Sequence, residues 1–247
     1  PASRATILTA ESLVQALWRA PVGRVAFDDG TQRLTYRGLH AALSTEAAWL
    51  REHAGERYAV LADNGIAWAV TDLALLMMGR LSVPVPAYFT DAQLQHALDD
   101  AGVDSLLTDD PTRVLRIGVW REHGRSTQGL VLLRRDLAPD ARPAIPAGTI
   151  KITYTSGSTA APKGVCLSSA QLDAVAQSLA WATQSLQVRR HLCVLPLATL
   201  LENVAGIYAP LLAGATCHLP STQTTGLSYS GTDPQRLLAC IARMQPE

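Results

Sequence analysis

The sequence predicts an α/β protein with a largely parallel sheet covered by helices on both faces. Three observations carry this. From Leu34 onward helix-like and strand-like stretches alternate, short turn signals separate them, and 48% of the 247 residues are hydrophobic, enough for a substantial core.

Thr35 is placed to cap a first helix on which Leu39, Leu43 and Leu50 recur at near-helical spacing, with Gly55 as its stop signal. Residues 58–62 read as a short buried strand, and Asn64-Gly65 as the turn beyond it. A second helix covers residues 66–78 and stops at Gly79. Residues 81–85 have strand character, with Pro84 pointing to a sheet edge or a strand end. A third helix begins near Asp91, whose carboxylate can cap free amides, carries Leu94, Ala97 and Leu98, and ends at Gly102. Residues 103–108 and 130–133 are further strands.

Residues 136–149, DLAPDARPAIPAGT, contain three prolines and no apolar period, which makes them a connector. The chain therefore divides into an α/β subdomain over 1–135, this connector, and the start of a second, incomplete α/β subdomain over 150–247. In the second part Ile150, Ile152 and Tyr154 alternate with Lys151 and Thr153 as in a strand. Residues 165–167 resume a strand, and Ser168 or Ser169 caps a helix carrying Leu172, Val175, Leu179 and Ala182.

Composition excludes several roles. The 21 basic and 21 acidic residues cancel, so no global field favours nucleic acid or an anionic membrane, and an anionic ligand must be held by local geometry. Cys166, Cys193, Cys217 and Cys240 form no CxxC pair and read as buried free thiols in a reducing, cytoplasmic setting. No secretory signal is visible, and the apolar windows 66–78 and 192–212 are interrupted by Asp72 and by Pro196, Glu202, Asn203 and Pro210, so no membrane span is expected. His40, His53, His96, His123, His191 and His218 lack metal-ligand spacing; surface or capping roles, and no metal site, are expected of them. Arg134-Arg135 reads as a solvated strand end, and Trp18, Trp49 and Trp68 as helix-packing residues.

The chemistry concentrates in TYTSGSTAAPKGV, residues 153–165. It has five Ser/Thr hydroxyls, two glycines, and one of only two lysines in a chain with 19 arginines. Such a run, entered from a strand, can wrap an anion: Gly157 lets the backbone approach, Thr155, Ser156, Ser158 and Thr159 supply donors, and Lys163, stiffened by Pro162 and followed by Gly164, supplies charge. The run does not match a Walker A loop, because the second glycine and the hydroxyl after lysine are both missing. A polar hairpin loop whose hydroxyls satisfy only their own backbone stays open as the other reading of these residues.

Residues 154–165 resemble the YTSGSTGxPKGV signature of the adenylate-forming superfamily, which includes acyl-CoA synthetases and the adenylation domains of peptide synthetases. LTYRGL at 34–39, residues 64–86 with 93–109, and LCVLPLATLLENVAGIYAPLLAGAT at 192–216 are similar to further elements of that family. The resemblance implies the layered helix-sheet-helix subdomains of the family's large N-terminal domain. It also implies that ATP, with Mg²⁺, binds at Thr155, Ser156, Gly157, Ser158, Thr159, Lys163 and Gly164, and that a carboxylic acid becomes an acyl-adenylate and then passes to CoA. GRLSVPVPAY and LPLATLLEN look more like the fatty-acid branch than like amino-acid-activating domains, and Thr199 and Glu202 would border the acyl pocket. Ala160 departs from the signature's second glycine, Thr199 stands where a histidine is common, and Asn203 replaces a common arginine. The family's adenine-stacking motif, Mg²⁺-binding glutamate, ribose-binding aspartate and C-terminal catalytic lysine are not found. The resemblance thus implies an N-terminal fragment with no catalytic residue of its own, inactive alone. Two alternatives are an enzyme for aryl or amino acids, and a non-catalytic binding module that kept the fold.

Overall fold

A computed structural model describes residues 10–53, 55–138, 141–155, 161–228 and 231–247. The chain runs through α1 (Ala10–Arg19), β1 (Val25–Asp28), β2 (Arg33–Thr35), α2 (Tyr36–Glu52), β3 (Arg57–Leu61), α3 (Ile66–Met77), β4 (Leu81–Pro84), α4 (Asp91–Asp100) and β5 (Ser105–Thr108). It continues through α5 (Pro111–Ile117), β6 (Arg121–Arg125), β7 (Val131–Arg134), β8 (Thr149–Thr155), β9 (Lys163–Ser168), α6 (Ser169–Thr183) and β10 (Arg190–Leu192). Next comes a continuous helical stretch, α7 (Leu200–Glu202), a π-helical turn (Asn203–Tyr208) and α8 (Ala209–Leu212). After it come β11 (Thr216–His218), α9 (Thr222–Thr225), the small hairpin β12 (Leu227–Ser228) and β13 (Gly231–Thr232), and α10 (Pro234–Met244).

Two larger sheets organise these elements. The seven-stranded sheet has the order β6-β7-β5-β3-β4-β8-β9. Its four middle strands are parallel, and antiparallel hairpins close both edges, so the parallel character expected from the sequence is confined to the middle. Strands from either side of residues 136–149 share this sheet. The second sheet, β10-β11-β1-β2, joins the beginning of the described chain to its later part, with β1 parallel to β11. Tyr36 Oη donating to the Ala215 carbonyl and Thr216 Oγ1 donating to the Val25 carbonyl reinforce that union.

Period-two alternation decides which core each side chain joins. Tyr58 and Val60 of β3 pack with α1, α2, α3, α6 and the second sheet, while Ala59 and Leu61 pack on the other face with α4, β4 and β7. The helices form where capping and periodicity agree. Thr35 accepts from the Gly38 amide at the start of α2, and Ser168 with Gln171 makes a capping box on α6.

Several expectations change. Thr90, not Asp91, caps α4 in a capping box with Gln93; Asp91 instead pairs with Arg113 and Arg116 of α5. Pro84 is a strand end but not an edge, because β4 lies between β3 and β8. Helix α2 ends at Glu52 with His53 as its cap, ahead of Gly55, which has a further role. A Cβ there would stand 1.8 Å from Asp104 Oδ1, so glycine is needed to let that carboxylate reach the amide of Glu56. Arg135 is buried rather than solvated: its guanidinium donates to the carbonyls of Val103 and Leu98, pairs with Asp99, and lies over the Trp120 ring. Trp68 is core, but Trp18 is 55% exposed, and Val175 of α6 faces solvent while Leu172 and Ala176 are buried. Cys166 is half-buried, and the other three free thiols are buried as expected. Among the described residues no helix is long and apolar enough to cross a membrane.

Candidate functional site

The hydroxyl-rich run sits on the β8–β9 hairpin, at the carboxyl edge of the parallel strands, where α/β sheets present ligand sites. Thr155 and Lys163 are register partners at the mouth of the hairpin, and both side chains are exposed. Thr155 Oγ1 lies 3.5 Å from the Lys163 carbonyl oxygen. Of the sequence-derived phosphate contacts, Ser156, Gly157, Ser158, Thr159 and the neighbouring Ala160 lie outside the described residues; Thr155, Lys163 and Gly164 frame them.

Helix α4 anchors the hairpin at two points. Tyr154 Oη donates to Asp100 Oδ2 at 2.7 Å, and His96 Nε2 meets the Pro162 carbonyl at 3.0 Å. Burial and the Asp100 carboxylate push the Tyr154 phenol far up, so it remains a neutral donor. A Cβ on Gly164 would come within 3.0 Å of the Ile152 side chain and 3.1 Å of the Tyr154 ring. Glycine there keeps the two strands flush.

Behind the loop lies a polar cluster that local pattern does not reveal. The alternation in β8 correctly places Lys151 and Thr153 on one face, but that face is interior: Lys151 is 1% exposed. Its ammonium donates to Asp72 Oδ1 at 2.6 Å, Asn203 Oδ1 at 2.6 Å and Tyr208 Oη at 2.7 Å. Asn203 Nδ2 and Tyr208 Oη in turn donate to Asp72 Oδ2. The π turn makes this possible, since its i→i+5 winding brings Asn203 and Tyr208 to the same side. Burial pulls the Lys151 ammonium below the usual lysine range, and Asp72 opposes that pull. Every strong donor and acceptor of the cluster is used. It pins α3, β8 and the π turn together four residues before Thr155.

The segment bordering the expected acyl pocket is held differently. Asn64, read from the sequence only as a turn residue, grips it from the end of β3: Nδ2 donates to the Leu195 carbonyl and Oδ1 accepts from the Leu197 amide, both at 2.8 Å. A side-chain amide at the carboxyl end of a parallel strand was the available signal. Thr199 precedes α7 and turns its hydroxyl onto the Pro196 carbonyl at 2.8 Å rather than outward. Glu202 is buried, and burial raises its carboxyl pKa against the opposing pull of the Val194 and Leu195 amides and the Cys193 thiol. Val204 and Ile207 are core residues.

Comparisons with known proteins give a family match and a shared fold. A family model described as AMP-binding enzyme matches residues 14–247. A 4-hydroxyphenylalkanoate adenylyltransferase of Mycobacterium marinum is 32% identical over 155 residues, 57% of this chain and 25% of that protein. A CoA ligase of Gibberella moniliformis is 29% identical over 171 residues, 66% of this chain and 28% of that one. ATP-bound MatB from Rhodopseudomonas palustris superposes with a TM-score of 0.71 at 19% identity, over 96% of this chain and 48% of its own. The chain thus spans about a quarter of the length of these two relatives and about half of the solved structure.

Proposed function

The chain belongs to the AMP-binding enzyme family, and from that premise we infer that its whole protein activates a carboxylic acid with ATP and hands the acyl group to CoA. The observation that carries this reading is the β8–β9 hairpin, which presents Thr155 and Lys163 side by side at the carboxyl edge of the sheet. In the reaction a carboxylate oxygen bonds to the α-phosphorus, the bridging oxygen leaves with pyrophosphate, and thiol attack on the mixed anhydride then releases AMP. The hairpin's part is to hold the departing phosphates: amides and the hydroxyls of Thr155, Ser156, Ser158 and Thr159 donate, Gly157 and Gly164 permit close approach, and Lys163 offsets the charge that develops. Mg²⁺ would travel with the nucleotide and be held by its phosphates; among the described residues no set of three metal-capable side chains gathers at the hairpin.

A fatty acid is the favoured substrate, because GRLSVPVPAY and LPLATLLEN read as the lipid-activating branch and Thr199 and Glu202 stand on the segment that borders the acid. The similarity to a 4-hydroxyphenylalkanoate adenylyltransferase favours a second reading, an aryl-substituted alkanoate. Exchange of labelled pyrophosphate into ATP by the full-length protein, measured over alkanoates of graded length and 4-hydroxyphenylalkanoates, tests both. Exchange is expected with one of these series, lowered about a hundredfold by Lys163→Ala. No exchange with any carboxylate would withdraw the reading.

A further inference from the structure

Away from the hairpin, His191 and Cys193, to which the proposed adenylation gives no part, converge beside the four-stranded sheet with Glu202, placed above on the segment that borders the acid. His191 and Cys193, two residues apart at the end of β10, point to the same side, and Glu202 comes in from the helical stretch. One donor atom from each lies within 4.8 Å of the other two. Cys193 is fully buried and Glu202 is 7% exposed, whereas His191 is half-buried and gives the cluster an edge toward solvent. Glu202 Oε1 is buried with no hydrogen-bond partner. The Val194 and Leu195 amides and the Cys193 thiol lie near the carboxylate and favour its charged form, and the thiol donates to the Gly206 carbonyl at 3.3 Å. Gly206 of the π turn makes the room: a Cβ there would stand 2.7 Å from Cys193 Sγ and 3.3 Å from Glu202 Oε1.

We propose that His191, Cys193 and Glu202 form a binding site for a divalent transition-metal ion, with Zn²⁺ the ion best suited to the donors. The argument is one of ligand chemistry. One imidazole nitrogen, one thiolate sulfur and one carboxylate oxygen suit an ion of borderline softness, and hard ions such as Mg²⁺ avoid sulfur. Bond lengths of about 2.0–2.3 Å put tetrahedral donors roughly 3.3–3.7 Å apart, so side-chain rotations that draw the three atoms together by about 1 Å complete the site. Binding forms a metal–sulfur bond as the thiol proton leaves to solvent, and it gives Glu202 Oε1 the partner it lacks. A fourth position stays open at the His191 edge for water. The Val194 and Leu195 amides act as the outer shell that such carboxylate ligands need. The sequence offered no hint, because the donors come from two segments and only His191-x-Cys193 is local.

Co²⁺ and Zn²⁺ titrations of the 247-residue chain test this without reference to catalysis. Co²⁺ is expected to give one equivalent of binding with a thiolate-to-metal charge-transfer band that Zn²⁺ displaces. The band should vanish in Cys193→Ser, persist in Cys166→Ser, and weaken with at least about tenfold lower affinity in Glu202→Gln and His191→Ala. Circular dichroism confirms that each variant is folded, and if Cys193→Ser does not fold, the band in the parent chain together with its weakening in His191→Ala decides the matter. Absence of the band in the parent chain, its survival in folded Cys193→Ser, or equal affinity in all variants overturns the site.

Discussion

Lys151 is the residue on which the interior depends most visibly. A lysine at 1% exposure is tolerated only because Asp72, Asn203 and Tyr208 occupy all three of its protons. Removing it would strand the Asp72 carboxylate with two neutral donors in a dry site. Lys151→Met is therefore expected to lower stability by about 3–5 kcal/mol, and the pair Lys151→Met with Asp72→Leu to recover much of that. Urea unfolding of the two variants checks this; an unchanged midpoint for the single variant would show that the cluster contributes nothing. The other lysine, Lys163, is exposed, and among the described residues its ammonium makes no ion pair.

At the scale of elements, helix α6 packs across the π turn and α8, and one of its residues is poorly matched to that contact. Asp173 is 6% exposed and its Oδ2 has no hydrogen-bond partner. Burial raises its carboxyl pKa to about 6. The folded chain then holds a proton that the unfolded chain has already lost, so ionising Asp173 above pH about 6 costs stability, and the cost vanishes below the ordinary carboxylate range near pH 4. Asp173→Asn removes the cost. The variant is expected to melt about 2–4 °C higher than the parent at neutral pH, the size of effect that roughly 1 kcal/mol has in a chain this long. That advantage should fade as the pH falls from 6 to 4, and thermal melts across the range would show it; an advantage constant with pH would place its origin elsewhere. The caps at Thr35 and Ser168, the end of α3 and the strand patterns of β3, β5 and β7 follow from contacts within a few residues. The strands β2, β10 and β11 have three residues each, too short for a period to show.

For the molecule as a whole, the proposed function makes the hairpin one wall of a nucleotide site. Three or four charged hydrogen bonds at about 1.5–3 kcal/mol each are offset by the ~4–15 kcal/mol that immobilising a ligand costs. The 247-residue chain alone is accordingly expected to bind ATP no tighter than ~1 mM, and isothermal calorimetry giving micromolar affinity would contradict it. By itself the sequence determined the α/β class, helices α2, α3, α4 and α6 with the caps of α2 and α6, and the strands on either side of the hydroxyl-rich loop, because propensity, capping and amphipathic period are local properties of consecutive residues. Only the tertiary structure decided that the polar face of β8 turns inward onto Asp72, that β1 pairs with β11 far along the chain, and that Cys193 meets Glu202. A side chain's period says which face it shares with its neighbours. What lies against that face depends on contacts between distant segments, and those are fixed by how the whole core closes.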